Sequence, residues 1–195
     1  MRADVTIYFI RHGQTDWNAE SRYQGQADVP MNERGRAQAR RNGDALHLLM
    51  PGLGSADFVA SPLARARETM KIVRNELGLD PHGYKTDHRL MEVNYGNWQG
   101  TLATEVPELD AEGFKARARD PFHWRPQGGE SYADLMARSV EWLDGVARDT
   151  VVVSHGGVSR VLRGHILGLD QADIPVLDVP HDRVLVLRAD GMDWL

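Results

Sequence analysis

The sequence predicts an α/β protein: a three-layer α/β/α sandwich with a mostly parallel central sheet and a short irregular insertion over one rim. Two observations carry this. Short β-branched or aromatic runs alternate along the chain with longer segments of helical periodicity, the order from which sheets covered on both faces are built. Thr150-Val151-Val152-Val153 is moreover an unbroken β-branched run, the pattern of a strand buried on both faces rather than one.

Residues 5–10 are apolar and rich in β-branched and aromatic side chains, and read as a buried first strand. The run ends in Arg11-His12-Gly13, where glycine permits a sharp turn or the close approach of a ligand. Residues 19–32, with Gly25 and Pro30, read as loop. Asn32 is placed to cap a helix over Glu33–Leu49, with Ala37, Ala45, Leu46, Leu48 and Leu49 as its apolar or small positions and Pro51-Gly52 as its stop. Phe58-Val59-Ala60 is a second strand. Ser61 suits the N-cap and Pro62 the first position of the next helix. There Ala66, Met70, Val73 and Leu77 share one face, and Gly78 is a natural end.

Residues 90–93 read as a short extended segment leading into a loop with Gly96 and Gly100. Pro107, Pro121 and Pro126 interrupt residues 101–130, an insertion with short helices near 104–109 and 112–119. In residues 131–146, Tyr132, Leu135, Met136, Val140, Leu143 and Val146 lie on one helical side, with Ser131 and Asp134 in a capping arrangement. Glu130 and Ser131 both read as part of that cap. The triple-valine strand runs into Ser154-His155-Gly156-Gly157. Val158, Val161, Leu162 and Ile166 form the next helical face, ending near Gly168, and residues 184–187 are a last strand.

At 195 residues the chain suffices for one domain, residues 1–195, with a sizeable core and the insertion at 101–130. A net charge of −5, with no basic block longer than Arg40-Arg41, argues against a nucleic-acid partner. No apolar run approaches membrane-spanning length, so no membrane partner is expected. The absence of cysteine removes disulfides, thiolate catalysis and Cys-ligated zinc. A first strand starting a few residues after Met1 leaves no room for a signal peptide, and a cytoplasmic location is the simplest expectation. Monomer and homodimer both remain open.

Parallel strands place their C-terminal ends on one edge of a sheet. The two His-Gly corners then become neighbours: His12 and His155 on one rim, with Arg11, with Arg65 from the first turn after the second strand, and with Glu92 nearby. Two guanidiniums suit a phosphate dianion. A neutral imidazole between them is a nucleophile that needs no base, and a carboxylic acid protonates a departing alkoxide. The set fits phosphoryl transfer without a metal or cofactor. His181, after Pro180, either supports the Arg-His corner from behind or lies on the surface. The histidines at 47, 82, 88, 123 and 165 show no ligand spacing.

Arg11-His12-Gly13, Asn18, the run from Ser61-Pro62-Leu63 through Thr69, and Ser154-His155-Gly156-Gly157 together resemble the histidine phosphatase superfamily, in its phosphoglycerate-mutase-like branch. The resemblance implies His12 as a nucleophile that becomes phosphohistidine, with Arg11, Arg65 and a protonated His155 completing the phosphate pocket. It implies Asn18, Gln24, the Gly25 amide and Gly156 as further substrate contacts, and Glu92 as the proton donor. The expected activity is hydrolysis of a small phosphorylated metabolite by a histidine acid-type phosphatase. A bisphosphoglycerate-dependent mutase is favoured less, because residues 101–130 are short, offer only Lys115, Arg117, Arg119 and Arg125 as cations, and bring Phe122 and Trp124 for a more apolar substrate wall. A non-catalytic phospholigand-binding protein is the third reading.

Overall fold

The computed structural model describes residues 2–49 and 52–195; the stop expected at Pro51 lies outside them. One six-stranded sheet has the order β3-β2-β4-β1-β5-β6. Its strands are β1 (Ile7–Arg11), β2 (Asp57–Ala60), β3 (Lys85–Thr86), β4 (Thr150–Ser154), β5 (Val184–Arg188) and β6 (Gly191–Trp194). β3, β2, β4 and β1 run parallel, while β5 and β6 pair antiparallel. The helices are α1 (Asp16–Ala19), α2 (Glu33–Leu49), α3 (Ala64–Glu76), α4 (Val106–Leu109), α5 (Ala111–Arg119), α6 (Tyr132–Asp144) and α7 (Gly156–Leu167).

Strand alternation divides the core into two layers. Ile7, Phe9, Val152, Leu185 and Leu187 face α6 and α7, in one apolar cluster with Leu135, Leu143, Val158 and Leu162. Tyr8, Ile10, Val151, Val153, Val184 and Val186 face α2 and α3, with Leu46, Ala66, Met70 and Val73. This is why the central strands read as continuous apolar runs. The helix after β1 covers one face and the helix after β4 the other, so the chain diverges between β1 and β4. In open α/β sheets that divergence is where a ligand crevice opens.

Four sequence expectations are corrected. The buried face of α2 is Gly35, Ala39, Asn42, Gly43 and Leu46. Leu48 and Leu49 are instead 77% and 57% exposed. The face is chosen by close approach: a Cβ on Gly43 would lie 2.6 Å from Glu76 Cβ and 3.2 Å from Val73 Cα of α3. Second, Ser61 is not an N-cap. Helix α3 starts three residues later, and Asp28 Oδ1 accepts its Ala64 N–H at 2.8 Å. Third, residues 90–93 are not extended sheet. His88–Leu90 is a 3₁₀ turn, and Arg138 of α6 donates to the carbonyls of Arg89, Met91 and Glu92, which removes the acceptors a strand would need. Fourth, residues 184–187 are not the last strand: β6 follows β5 and covers its outer side. Asn32 does cap α2, its Oδ1 accepting from Gly35 N at 2.9 Å, and Ser131 with Asp134 forms the expected capping box of α6.

The turn after β1 rests backbone-to-backbone on the start of α2. A Cβ on Gly13 would overlap the Gly35 peptide, and a Cβ on Gly35 would overlap the backbone of Gln14. Neither glycine is used for a positive φ; both are used for contact. Gly35→Ala is expected to cost about 2–3 kcal/mol in urea unfolding, since neither backbone has room to retreat. Gly145→Ala, where the added methyl meets nothing nearer than 3.4 Å, is expected to change stability by less than about 1 kcal/mol.

Candidate active site

The register of the sheet assembles the site. Ile10 and Ala60 both lie opposite Val153, and Arg11 lies opposite Ser154. Beyond the strands, His12 N–H donates to Ser154 O and Ser61 N–H to Val153 O, each at 2.9 Å. Three corners therefore emerge at one level. His12 and His155 meet with ring centroids 5.1 Å apart, both buried.

His12 has a defined tautomer. Its Nδ1 lies 2.8 Å from Gly13 O, and a carbonyl only accepts, so Nδ1 carries the hydrogen and Nε2 the lone pair. Arg65 Nε donates to that Nε2 at 3.3 Å. Arg65 is itself fully buried and held by Ala27 O and Gly25 O, each at 2.7 Å. Gly25, at φ +54, thus shapes the carbonyl cradle that aims Arg65. Burial, then Arg65 and His155, hold the His12 imidazole well below its usual pKa, so it is neutral.

The corner is clamped from behind by residues 177–182. Arg11 Nη1 donates to Val179 O at 2.6 Å, and His181 Nδ1–H donates to His12 O at 2.6 Å. Arg160 Nε donates to Leu177 O, Arg163 Nη1 to Asp178 O and Asn42 Nδ2 to His181 O; Arg41 reaches Asp182 O. His181 therefore supports the Arg-His corner. Burial, then Arg11, pushes its pKa down to about 3.

His155 lies against Ser61, with Nε2 2.7 Å from Ser61 Oγ. Its Nδ1 is buried without a partner, as is Arg11 Nε. Such atoms are costly unless something binds them. Burial, then Arg65 and Arg11, hold the pKa of His155 well below the usual value, so without a bound anion it is neutral; the protonated form expected from the sequence is one beside a phosphate. Burial also lowers Arg11 and Arg65 to about 10 each, against the opposing pull of Glu92.

A cleft of about 210 Å³ opens over His12, lined also by Arg11, Asn18, Gln24, Gly25, Glu92 and Gly156. Arg65 and His155 do not line it; they back His12 from beneath. Asn18 and Gln24 are tied through Thr15, whose Oγ1 accepts from Asn18 N at 3.2 Å and lies 2.5 Å from Gln24 Oε1. Glu92 Oε1 accepts from the amides of Val93 and Gly157, each at 3.0 Å, and Oε2 takes a longer 3.2 Å contact from Gly157. A side chain on Gly157 would displace this carboxylate, which explains the second glycine after His155.

Sequence reasoning missed several residues. Ser61 orients His155 rather than capping a helix. Glu130 does not cap α6; it pairs with Arg138 at 3.0 Å and accepts from Asn94 N. Arg160, Tyr23 and Tyr95 line the cleft. The expected wall of Phe122 and Trp124 is not there: Phe122 is buried in the core and Trp124 stacks on Trp98 at 4.5 Å. The aromatic wall is Tyr23 against Tyr95, at 4.8 Å, with Arg117 of α5 over Tyr23. The signal for Arg160 was its place on α7, one turn beyond Gly156 on the same side. Among the described residues, no group of three or more His, Cys, Asp or Glu side chains is placed to hold a metal ion, and no helix is long and apolar enough to cross a membrane.

Residues 7–195 match the family model for the histidine phosphatase superfamily (branch 1). A glucosyl-3-phosphoglycerate phosphatase of Mycobacterium tuberculosis (strain CDC 1551 / Oshkosh) is 36% identical over 184 residues, 88% of this chain and 79% of that protein. A 2,3-bisphosphoglycerate-dependent phosphoglycerate mutase 2 of Gloeobacter violaceus is 29% identical, over 80% of this chain and 73% of that one. The solved structure of a mycobacterial glucosyl-3-phosphoglycerate phosphatase complexed with VO3 superposes with a TM-score of 0.79 at 32% identity, covering 97% of this chain and 96% of that one.

Burial of three neutral histidines makes stability depend on pH. His12, His155 and His181 titrate near 6.5 when unfolded and well below that when folded. Between the two values the unfolded chain binds more protons, so the stabilisation is complete above about pH 6.5 and is lost as pH falls. Urea unfolding is expected to show a free energy that drops from pH 7 to pH 5. His181→Asn keeps a donor beside His12 O and is expected to make the drop shallower by about one proton, ~1.4 kcal/mol per pH unit between pH 6 and 5. A slope equal to that of the wild type would refute the assignment.

Proposed function

The chain belongs to branch 1 of the histidine phosphatase superfamily, and on that footing we propose that it is an acid-type phosphatase that hydrolyses small phosphomonoesters through a phosphohistidine on His12. The observation that carries this reading is the Nδ1–H bond from His12 to Gly13 O, which puts the lone pair on Nε2, where Arg65 Nε meets it at a long 3.3 Å until phosphorus takes its place. Nε2 attacks phosphorus in line as the ester P–O bond breaks, and Glu92 gives its proton to the leaving oxygen. Water then attacks the phosphohistidine and Glu92 takes its proton. The N–P bond breaks, and inorganic phosphate leaves with His12 restored.

Arg11 and Arg65 supply the positive charge that the equatorial oxygens meet. His155 backs the His12 ring, its own ring held through Nε2 against Ser61 Oγ. A histidine kept neutral by burial and neighbouring cations remains a nucleophile in mild acid, which supports the acid-type assignment. Asn18, Gln24, the Gly25 amide and Gly156 frame the phosphate. Both relatives named above act, by their names, on phosphate esters. The insertion favours hydrolysis over mutase chemistry: Lys115 pairs with Glu112 and Arg125 with Asp134 on the surface, and Arg117 is spent on Tyr23. No cation of the insertion lines the cleft.

With p-nitrophenyl phosphate in EDTA, phosphate release and inhibition by vanadate are expected, with an acid-labile label on His12 after rapid quench. His12→Ala is expected to lower kcat at least about 10³-fold. Glu92→Gln is expected to lower kcat/KM for alkyl phosphates about 10²–10³-fold and for p-nitrophenyl phosphate far less, because kcat/KM reports the phosphorylation step and nitrophenolate leaves without a proton. Activity of His12→Ala near wild type overturns the reading. Phosphoglycerate interconversion stimulated by bisphosphoglycerate, without phosphate release, selects the mutase.

A further inference from the structure

Glu92 reaches the cleft from residues 91–95, a stretch that belongs to no helix or strand. Nothing in the sheet therefore fixes its backbone. Four successive carbonyls, those of residues 89 to 92, are bound by side chains instead. Arg138 of α6 takes three of them: Nη1 donates to Arg89 O and Met91 O, each at 2.7 Å, and Nη2 to Glu92 O at 3.0 Å. Ser154 Oγ donates to Leu90 O at 2.7 Å, and Gln26 Nε2 adds a second bond to Glu92 O at 3.0 Å. Such a chain segment holds its place only as firmly as the side chains that satisfy it.

The other edge of the Arg138 fork is just as fully engaged. Nε and Nη2 donate to Glu130 Oε1 and Oε2, each at 3.0 Å, in a bidentate pair. Glu130 Oε2 also accepts from Asn94 N at 2.9 Å, and Glu130 N donates to Asn94 O at 2.8 Å. The pair thus brackets the chain on both sides of Glu92, Arg138 at residues 89–92 and Glu130 at residue 94. All five guanidinium N–H groups are used, a set that the three donors on a lysine nitrogen cannot span. Neither Arg138 nor Glu130 lines the cleft, so they bear on the reaction through what they hold. A proton donor works only within hydrogen-bond reach of the leaving oxygen, and a displacement of about 1 Å costs about 10²-fold.

We infer that Arg138, braced by Glu130, is the positioning residue for Glu92: it sets the reach of the carboxyl to the leaving oxygen, and its loss slows esters whose alcohol departs with a proton. This rests on the phosphatase reading. The test measures kcat/KM for an alkyl ester (glycerol 3-phosphate or 3-phosphoglycerate, whichever is turned over faster) and for p-nitrophenyl phosphate. The proteins are the wild type, Arg138→Lys, Glu130→Gln, Glu92→Gln and the Glu92→Gln/Arg138→Lys double variant, each checked for its fold by circular dichroism. Arg138→Lys is expected to lower the alkyl value about tenfold and the nitrophenyl value less than about threefold. Glu130→Gln keeps an acceptor for Asn94 N, loses the charged pair, and is expected to shift the ratio in the same direction by a smaller factor. On Glu92→Gln, Arg138→Lys is expected to add less than about twofold for the alkyl ester, because no proton donor is left to place. Equal losses for both esters, or an Arg138→Lys effect that multiplies in full on Glu92→Gln, overturn the inference and leave the phosphatase reading intact. So do an unchanged Arg138→Lys, and loss of the fold in Arg138→Lys and Glu130→Gln alike, which makes the pair a determinant of the fold. Wild-type hydrolysis confined to p-nitrophenyl phosphate also overturns it, since Glu92 then delivers no proton. No phosphate release from any ester overturns the phosphatase reading, and this inference with it.

Discussion

The parallel pairing of β1 with β4, Arg11 opposite Ser154, is the constraint on which the site depends. It sets His12 beside His155 across 143 positions of sequence, and β2 pairs with the far side of β4 at the same level. A slip of one residue would turn every side chain of β1 to the opposite layer of the core. The two apolar layers that flank the sheet therefore fix the active-site register as well as the fold. The carbonyl of His12 and the guanidinium of Arg11 are then gripped by residues 177–182, so His12 is held at its backbone, on its ring and through its neighbour.

The electrostatic design runs against what stability alone would choose. Arg65 is fully buried and Arg11 partly so, and backbone carbonyls rather than carboxylates receive them. Carbonyl dipoles satisfy the donors without cancelling the charge, leaving a positive potential available to a ligand. Burial, and then the same potential, hold the neighbouring imidazoles neutral; in the proposed mechanism one arrangement thus attracts the phosphate and keeps His12 unprotonated.

Much of this was legible in the chain. Strand runs with β-branched and aromatic residues located β1, β2, β4 and β5, and the two His-Gly corners announced a shared rim because parallel strands end together. What was not legible depends on partners distant in sequence. The segment 90–93 looked extended, but Arg138 takes its carbonyls. Ser61 looked like a cap because Ser-Pro at a helix start is a local pattern, yet its hydroxyl answers to His155. The apolar face of α2 was misjudged because leucines outweigh glycines on any hydropathy reading, whereas tight helix contact selected Gly35 and Gly43. Arg160 lay in a run that reads as an ordinary helix, and only the position of α7 at the cleft gives its charge a meaning.

The clamp formed by residues 177–182 has a consequence for how the molecule comes into being. The loop sits just before β5, the strand that completes the far side of β1, and its partners are Arg11, His12, Arg41, Asn42, Arg160 and Arg163. Contacts of such long sequence separation form late and slowly. A chain emerging vectorially during synthesis has His12, both helices of one layer and most of the sheet before the segment that orients them is available. The His12 corner is thereby oriented only once residues 177–188 have been made, and that segment gives a nearly formed sandwich its clamped corner.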